Sequence, residues 1–100
     1  MKLLSWNVRG LGKPRTVGRL RQKLRDENTL LIFLIETKVT ESKMAGIRRR
    51  CGYPNGIDVG VIGRSGGLSM GWKDSCVVTL RSKSQRHIDI LISDDSDGNQ

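Results

Sequence analysis

Residues 30–38 read LLIFLIETK, and this short stretch carries the clearest fold signal in the sequence. Its first six residues, Leu30–Ile35, are all apolar, and an uninterrupted apolar run of this length is typical of a strand covered on both faces. The run stops at three polar residues, Glu36, Thr37 and Lys38. The stretch therefore predicts an internal strand of an α/β sheet, with polar groups at its carboxyl end.

The residues before this strand predict a helix and another strand. Pro14 suits the first turn of a helix, where its missing N–H costs nothing, and Val17, Leu20 and Leu24 follow at the spacing of one apolar helical stripe. Ahead of the helix, Leu3–Trp6 is an apolar run typical of a buried strand. A strand, a helix and a strand in this order predict a right-handed parallel crossover.

The residues that follow predict a second helix and a β-rich half. Thr40 or Ser42 is a suitable N-cap for a short helix that closes with Arg48–Arg50. Short β-prone runs separated by turns then predict antiparallel strands: Ile57–Ile62, Leu68–Trp72, Cys76–Leu80 and His87–Ile92. The expected fold class is α/β, an α+β sandwich in which an opening βαβ precedes an antiparallel meander, with about six strands and two helices.

The charge of the chain points to a polyanionic partner. Its 100 residues include 18 Lys and Arg against 10 Asp and Glu, which gives a net charge of +8. So strong an excess on so small a chain indicates nucleic acid. The alternative is a solvated basic surface that serves solubility alone.

Targeting and cysteine patterns are weak. Polar residues interrupt the first apolar run before a signal peptide can form, and no run approaches the length of a membrane-spanning helix. Cys51 and Cys76 have neither metal-ligand spacing nor a neighbouring histidine, so we expect reduced, structural thiols. The chain is expected to be soluble and intracellular, with no membrane partner.

Two polar side chains are expected at one edge of the sheet. Asn7 ends the first strand and Glu36 ends the next, and parallel neighbours joined by a crossover present their carboxyl ends on the same side. A carboxylate suits Mg²⁺, and an amide can orient a phosphate or an attacking water. The alternative is that Glu36 is an ordinary acid paired with Lys38 or an arginine.

Nucleotide-binding motifs fit the opening less well. The segment GLGKPRTVG, residues 10–18, follows a strand and starts a helix, as a dinucleotide-binding turn does. However, G-x-G-x-x-G starting at Gly10 requires glycine at the position that Arg15 occupies. No P-loop pattern occurs, so no small-molecule cofactor is expected.

Four segments carry a resemblance to a known family. In order they are SWNVRGLG (5–12), FLIETK (33–38), GRSGGLSMGWK (63–73) and HIDILI (87–92). Together they resemble the start of the endonuclease/exonuclease/phosphatase family, above all the endonuclease domains of plant LINE-type (non-LTR) retrotransposon polyproteins, which are related to apurinic endonucleases. The resemblance extends over residues 1–100 and implies the N-terminal portion of a four-layer domain.

The resemblance implies Mg²⁺-dependent cleavage of DNA phosphodiesters, in the nucleus, to nick a target before reverse transcription. Asn7 matches the active-site asparagine of the family, and Glu36 matches the glutamate that ligates the metal. Arg9 stands where apurinic endonucleases have a second acid near the metal. Since DNA lies across the strand-end edge in this family, Arg9, Lys13 and Arg64 are the expected DNA contacts.

The basic residues of the two helices are less well placed for that DNA. They could contact phosphates or form a solvated helix surface, and we expect the solvated surface. The residues concerned are Arg15, Arg19, Arg21, Lys23, Arg25 and Arg48–Arg50.

The later motifs of the family are missing. An Asp-x-Asn and a closing Asp-His pair, which completes the site and activates the water, have no match in the expected places. Asp97–Asn99 imitates the first of these, but Asp-Gly is favoured in turns for backbone reasons. His87 and Asp89 share a strand face, and no serine or cysteine is expected beside them, so a polar outer face is the simpler interpretation.

The expected function is therefore a fragment of a Mg²⁺-dependent DNA endonuclease that is inactive alone. Two alternatives remain open: a basic nucleic-acid-binding module without chemistry, and a relic reading frame.

Overall fold

The computed structural model describes residues 3–61, 63 and 66–94 of the chain. Within these residues it contains two helices and six strands, the numbers expected from the sequence. In chain order they are β1 (Leu3–Asn7), α1 (Pro14–Glu27), β2 (Leu31–Ile35), α2 (Glu41–Arg50), β3 (Asn55–Val59), β4 (Leu68–Trp72), β5 (Cys76–Lys83) and β6 (Ile88–Asp94).

The first sheet has the strand order β1-β2-β4-β3. β1 and β2 are parallel, in a register that runs from Leu3 beside Leu31 to Asn7 beside Ile35, and α1 connects them. The parallel βαβ unit is thus confirmed. The expectation that β1 is buried is wrong, because β1 is an edge strand in which Leu3, Ser5 and Asn7 are exposed on alternate positions.

The second half of the chain does not form one continuous meander. β4 pairs antiparallel with β2 on one side and with β3 on the other, so both of its hydrogen-bonding edges are used. β5 consequently has no free edge of β4 to join and pairs instead with β6, as a separate antiparallel sheet. The antiparallel pairing is confirmed, and the result is an α+β fold with two sheets.

The core lies between the first sheet and the two helices. Leu20 and Leu24 of α1 meet Ile32 and Leu34 of β2, and α2 adds Ile47. Tyr53 is also buried and donates its hydroxyl to the carbonyl oxygen of Thr29 at 2.6 Å. The apolar stripes of both helices therefore face the sheet, as their spacing predicts.

α2 is held to the sheet by a buried ion pair. Arg48 is 4% exposed, and its Nη2 lies 3.0 Å from Oδ2 of Asp58 in β3. The guanidinium of Arg48 lies over Gly56 and its aliphatic stem over Gly71, so a Cβ at either glycine would collide with the Arg48 side chain. Arg48 is therefore a structural residue, and both interpretations offered for it from the sequence are wrong: the expected solvated surface charge and the phosphate contact.

Neither Cys51 nor Cys76 forms a disulfide in the described part of the chain. Neither helix in the described part of the chain is long and apolar enough to span a membrane.

Candidate functional site

The ends of β1 and β2 bring Asn7 and Glu36 to neighbouring positions. Asn7 is the register partner of Ile35, and Glu36 is the next residue along the chain. Asn7 is exposed, whereas Glu36 is partly buried. The two residues that sequence reasoning singled out as catalytic thus share one edge of the sheet.

Hydrogen bonds continue between the two chain segments beyond the strands. The N–H of Val8 donates to the carbonyl oxygen of Ile35 at 3.0 Å, and that of Gly10 to Glu36 at 2.7 Å. The N–H of Leu11 donates to Thr37 at 2.8 Å. Because these bonds fix both segments, the edge is a preorganised surface, the kind of scaffold that a binding or catalytic site requires.

Strained backbone is concentrated at this edge. Arg9, Glu36 and Lys38 have φ angles of 53°, 57° and 57°, a left-handed conformation that side chains with a Cβ rarely adopt. Each such residue costs on the order of 1–3 kcal/mol, and strain of this kind clusters at functional sites. Asn28 also has a positive φ, but there it forms the ordinary C-cap of α1.

Arg9 and Asn7 are linked through a tight turn. Arg9 donates its backbone N–H to Oδ1 of Asn7 at 3.1 Å, so Arg9 is left out of the hydrogen-bonded ladder between Val8 and Gly10. This bond orients the Asn7 amide. With Oδ1 engaged, the Nδ2 group of Asn7 remains as a donor, suited to an oxygen of a phosphate.

A third segment, Gly66–Gly67, lies against the Glu36 turn. The N–H groups of Thr37 and Lys38 donate to the carbonyl oxygens of Gly67 and Gly66 at 3.2 and 3.0 Å. Gly67 has a φ of 93°, and a Cβ on it would collide with Oγ1 of Thr37. Only glycine fits there. Sequence reasoning did not assign this role to the glycine pair, although a Gly-Gly dipeptide directly before a strand is a recognisable signal of close backbone approach.

Thr37 itself is completely buried at this edge. Its Oγ1 has no hydrogen-bond partner among the described residues. An unpaired buried hydroxyl costs free energy, and such groups are found where strain or function requires them.

The residues present offer a divalent cation a small ligand set. Within the described part of the chain, Glu36 makes no ion pair with Lys38 or an arginine. No group of three or more His, Cys, Asp or Glu side chains that could hold a metal forms in that part. Mg²⁺ is commonly held by one or two carboxylates together with waters and substrate phosphates, so a single Glu36 carboxylate fits such a site only as a weak one.

The expected DNA contacts occupy different places. Arg9 is exposed at the edge. Lys13 is also exposed, but it is the N-cap of α1 and lines a cleft between the helices. Arg64 lies outside the described residues. Lys38, which sequence reasoning considered only as a partner for Glu36, is exposed at the edge, with its Cδ beside Gly10.

We expected no serine beside His87, and this expectation is wrong. Its Nδ1 and Nε2 lie 2.6 and 3.1 Å from Oγ of Ser84 and Ser82. All three side chains are exposed, and Ser84 also accepts the N–H of Arg86, so the group closes the β5–β6 turn. A polar outer face remains the better interpretation. The Asp97–Asn99 stretch lies outside the described residues.

Comparison with protein-family models finds no match to this chain, and comparison with curated proteins finds none either.

Proposed function

We propose that this chain contributes the first part of a Mg²⁺-dependent DNA endonuclease site of the endonuclease/exonuclease/phosphatase kind, as in LINE-type retroelements. We further propose that these hundred residues do not cleave DNA by themselves. The observation that carries the proposal is the parallel register of β1 and β2, which sets Asn7 beside the residue preceding Glu36. The strained, hydrogen-bonded turns that hold both residues support it.

Each residue of the edge has a distinct task in this proposal. Glu36 supplies one carboxylate ligand to the cation. Asn7, oriented by the N–H of Arg9, donates from its amide to a phosphate oxygen. Arg9 and Lys38 add positive charge where the DNA backbone lies. The bound cation would neutralise charge on the phosphate and lower the pKa of a bound water.

The proposed inactivity of this chain alone rests on the lack of a general base among the described residues of the edge. Histidine is the side chain best suited to accept a proton near neutral pH, and the chain has one histidine, His87. That residue lies in the β5–β6 hairpin, with both ring nitrogens beside serines. Among the described residues, Glu36 is left as the carboxylate of the edge, and a metal ligand is a poor general base.

Plasmid nicking and Mg²⁺ binding test the two halves of the proposal separately. We expect the wild-type chain to bind Mg²⁺ weakly in calorimetry and to leave supercoiled plasmid intact. Glu36→Gln is expected to abolish the Mg²⁺ binding, while Glu41→Gln, which neutralises an exposed acid at the start of α2, is expected to retain it. A Mg²⁺-dependent nick that disappears in Glu36→Gln would refute the inactivity, and equal Mg²⁺ affinity in the two variants would refute the metal site.

A second candidate is a nucleic-acid-binding module without chemistry, and the net charge of +8 favours it. In that case DNA binding would survive EDTA and Glu36→Gln, but it would fall steeply as salt is added. Mg²⁺-dependent DNA binding that Glu36→Gln weakens would instead support the endonuclease proposal.

A further inference from the structure

A basic cleft lies between α1 and α2. It consists of two adjoining cavities of about 310 and 270 Å³, which share Arg21 of α1 and Arg50 of α2. Lys13 and Lys43 line the first cavity, and Lys73 lines the second. Together with Arg25, six cationic side chains thus line one continuous depression.

Among the described residues, no acidic side chain lines either cavity. The two acids of α1 are engaged elsewhere, Asp26 with the amide of Gln22 at 2.9 Å and Glu27 with Lys23 at 3.8 Å. At 100° per residue, both acids lie more than 90° around the helix from the flank that carries Arg21. The acids of α1 therefore do not neutralise the positive charge of the cleft.

The cationic side chains converge because the two helices present matching flanks. Arg21 and Arg25 are four residues apart on α1, and Lys43 and Arg50 are seven apart on α2, so each pair lies along one side of its helix. Arg21, Arg25 and Arg50 are exposed. In the described residues none of these three forms an ion pair. Nε of Arg50 donates to the carbonyl oxygen of Gly46 at 3.4 Å, so Arg50 keeps its two terminal nitrogens for a ligand, alongside the guanidinium groups of Arg21 and Arg25.

Cys51 forms part of the floor between the two arginines that the cavities share. Burial raises the pKa of its thiol, and the charges of Arg21 and Arg50 both oppose that rise. Both guanidinium groups therefore act on one point of the cleft. Leu24 and Tyr53 also line this floor, and low-dielectric walls strengthen the attraction of charges for an anion.

The cleft is long enough for several phosphates. From Lys13 to Arg25 the axis of α1 rises roughly 18 Å, at about 1.5 Å per residue. Lys73 closes the far end, where its Nζ lies 3.4 Å from Oδ1 of Asn28 and 5.5 Å from the ring centre of Tyr53. Leu11 and Gly12, from the segment that follows Asn7, line the near end. One strand of nucleic acid can thus run along the helices from the candidate edge.

We propose that the cleft between α1 and α2 binds the phosphodiester backbone of a nucleic acid, with Arg21 and Arg50 as its central contacts. This site lies apart from Glu36 and does not depend on the proposed endonuclease function. It also reverses, for these two arginines, the expectation that the helix charge serves solvation alone.

The test compares two double variants with the same loss of charge. Arg21→Gln with Arg50→Gln removes the central contacts, whereas Arg15→Gln with Arg19→Gln removes two exposed charges that do not line the cleft. Binding of a single-stranded and a duplex oligonucleotide is measured against salt concentration. For the cleft variant we expect binding to be at least about tenfold weaker. The slope of log K against log salt concentration should become shallower by about 1.4 for the single strand and by about 1.8 for the duplex, because two phosphate contacts are lost. The control variant is expected to keep most of the wild-type slope.

Alkylation of Cys51 gives an independent readout. Nucleic acid in the cleft should slow the reaction of this thiol in the wild-type chain, and in Glu36→Gln equally, with buried Cys76 as the internal reference. Equal loss of affinity in the two double variants, or full reactivity of Cys51 in the presence of saturating oligonucleotide, would overturn the proposal. Unchanged protection in Glu36→Gln, together with failure of Mg²⁺ binding in the wild type, would leave the cleft standing and refute only the endonuclease.

Discussion

Arg48 shows how one side chain among three identical neighbours acquires a structural role. Arg48, Arg49 and Arg50 end α2 in succession, yet only Arg48 is buried. It lies four residues after the buried Met44, so the two share one side of the helix. The charge is satisfied there by Asp58, which also accepts the hydroxyl of Ser69 at 2.7 Å.

We expect Arg48→Ala to lower the free energy of unfolding by about 3–5 kcal/mol, because it leaves the Asp58 carboxylate buried and unpaired. Arg49→Ala is the matched control and should change stability by less than about 0.5 kcal/mol, since Arg49 is exposed. Urea unfolding of the two variants measures the difference. Equal midpoints would show that the ion pair does not hold α2 to the sheet.

Alanine substitutions at Gly66 and Gly67 distinguish the cost of backbone strain from the cost of a steric collision. Both have positive φ, 87° and 93°, so alanine costs about 1–2 kcal/mol at either position. Only at Gly67 would the new Cβ also strike Thr37. We therefore expect Gly67→Ala to be clearly less stable than Gly66→Ala and to shift the amide resonances of residues 36–38. If the two variants behave alike, the glycine does not position the Glu36 turn.

Cys51 is expected to make the free energy of unfolding depend on pH in the alkaline range. Burial raises the pKa of its thiol above the usual 9.0, so above that pH the unfolded chain loses a proton that the folded chain keeps. The free energy of unfolding should accordingly fall as the pH rises past about 9. Cys51→Ala is expected to flatten that decline when unfolding is followed between pH 8 and 10. An unchanged slope in the variant would assign the decline to other groups.

At the scale of elements, local signals predicted the helices well. Pro14 and the stripe of Val17, Leu20 and Leu24 placed α1, which begins at Pro14. Thr40 is the N-cap of α2, and its hydroxyl accepts the N–H of Lys43 at 3.2 Å. These features depend on neighbours within about four residues, and a sequence carries that information directly.

Strand partners were predicted less well, because pairing depends on distant residues. The apolar runs predicted the positions of β4 and β5 in the chain. Neither run indicates that β4 lies between β2 and β3 in the sheet. The same limit applies to the candidate site. Asn7 and Glu36 were predictable from the βαβ rule, whereas the contribution of Gly67, 31 residues beyond Glu36, required the assembled sheet.

The interior of α1 carries one glycine with no packing role. A Cβ on Gly18 would meet no atom within 4 Å. We expect Gly18→Ala to raise the free energy of unfolding by about 0.5–1 kcal/mol, because alanine loses less backbone freedom in a helix. Gly71→Ala in β4 provides the contrast, since its Cβ would lie 2.8 Å from Cδ of Arg48 and should destabilise the fold. Thermal unfolding compares the two, and a destabilised Gly18→Ala would mean that α1 packs differently.

At the scale of the whole molecule, two regions have different proposed roles. The strand-end edge, with Asn7 and Glu36, is a preorganised surface with a single carboxylate among its described residues. The cleft between the helices concentrates positive charge without a neutralising acid. Both lie along the segment from Asn7 to Lys13, so one nucleic acid can contact them together.

The endonuclease proposal requires a cation held by Glu36 to lie within reach of the Asn7 amide at that edge, and paramagnetic Mn²⁺ gives a direct test. Added at low stoichiometry to the ¹⁵N-labelled chain, Mn²⁺ should broaden the side-chain amide of Asn7 together with the backbone amides of Glu36, Thr37 and Gly10. Glu36→Gln should remove this effect, and Glu41→Gln should preserve it. Broadening that reaches Glu36 but spares the Asn7 amide, or that is centred on other acids, would contradict the account.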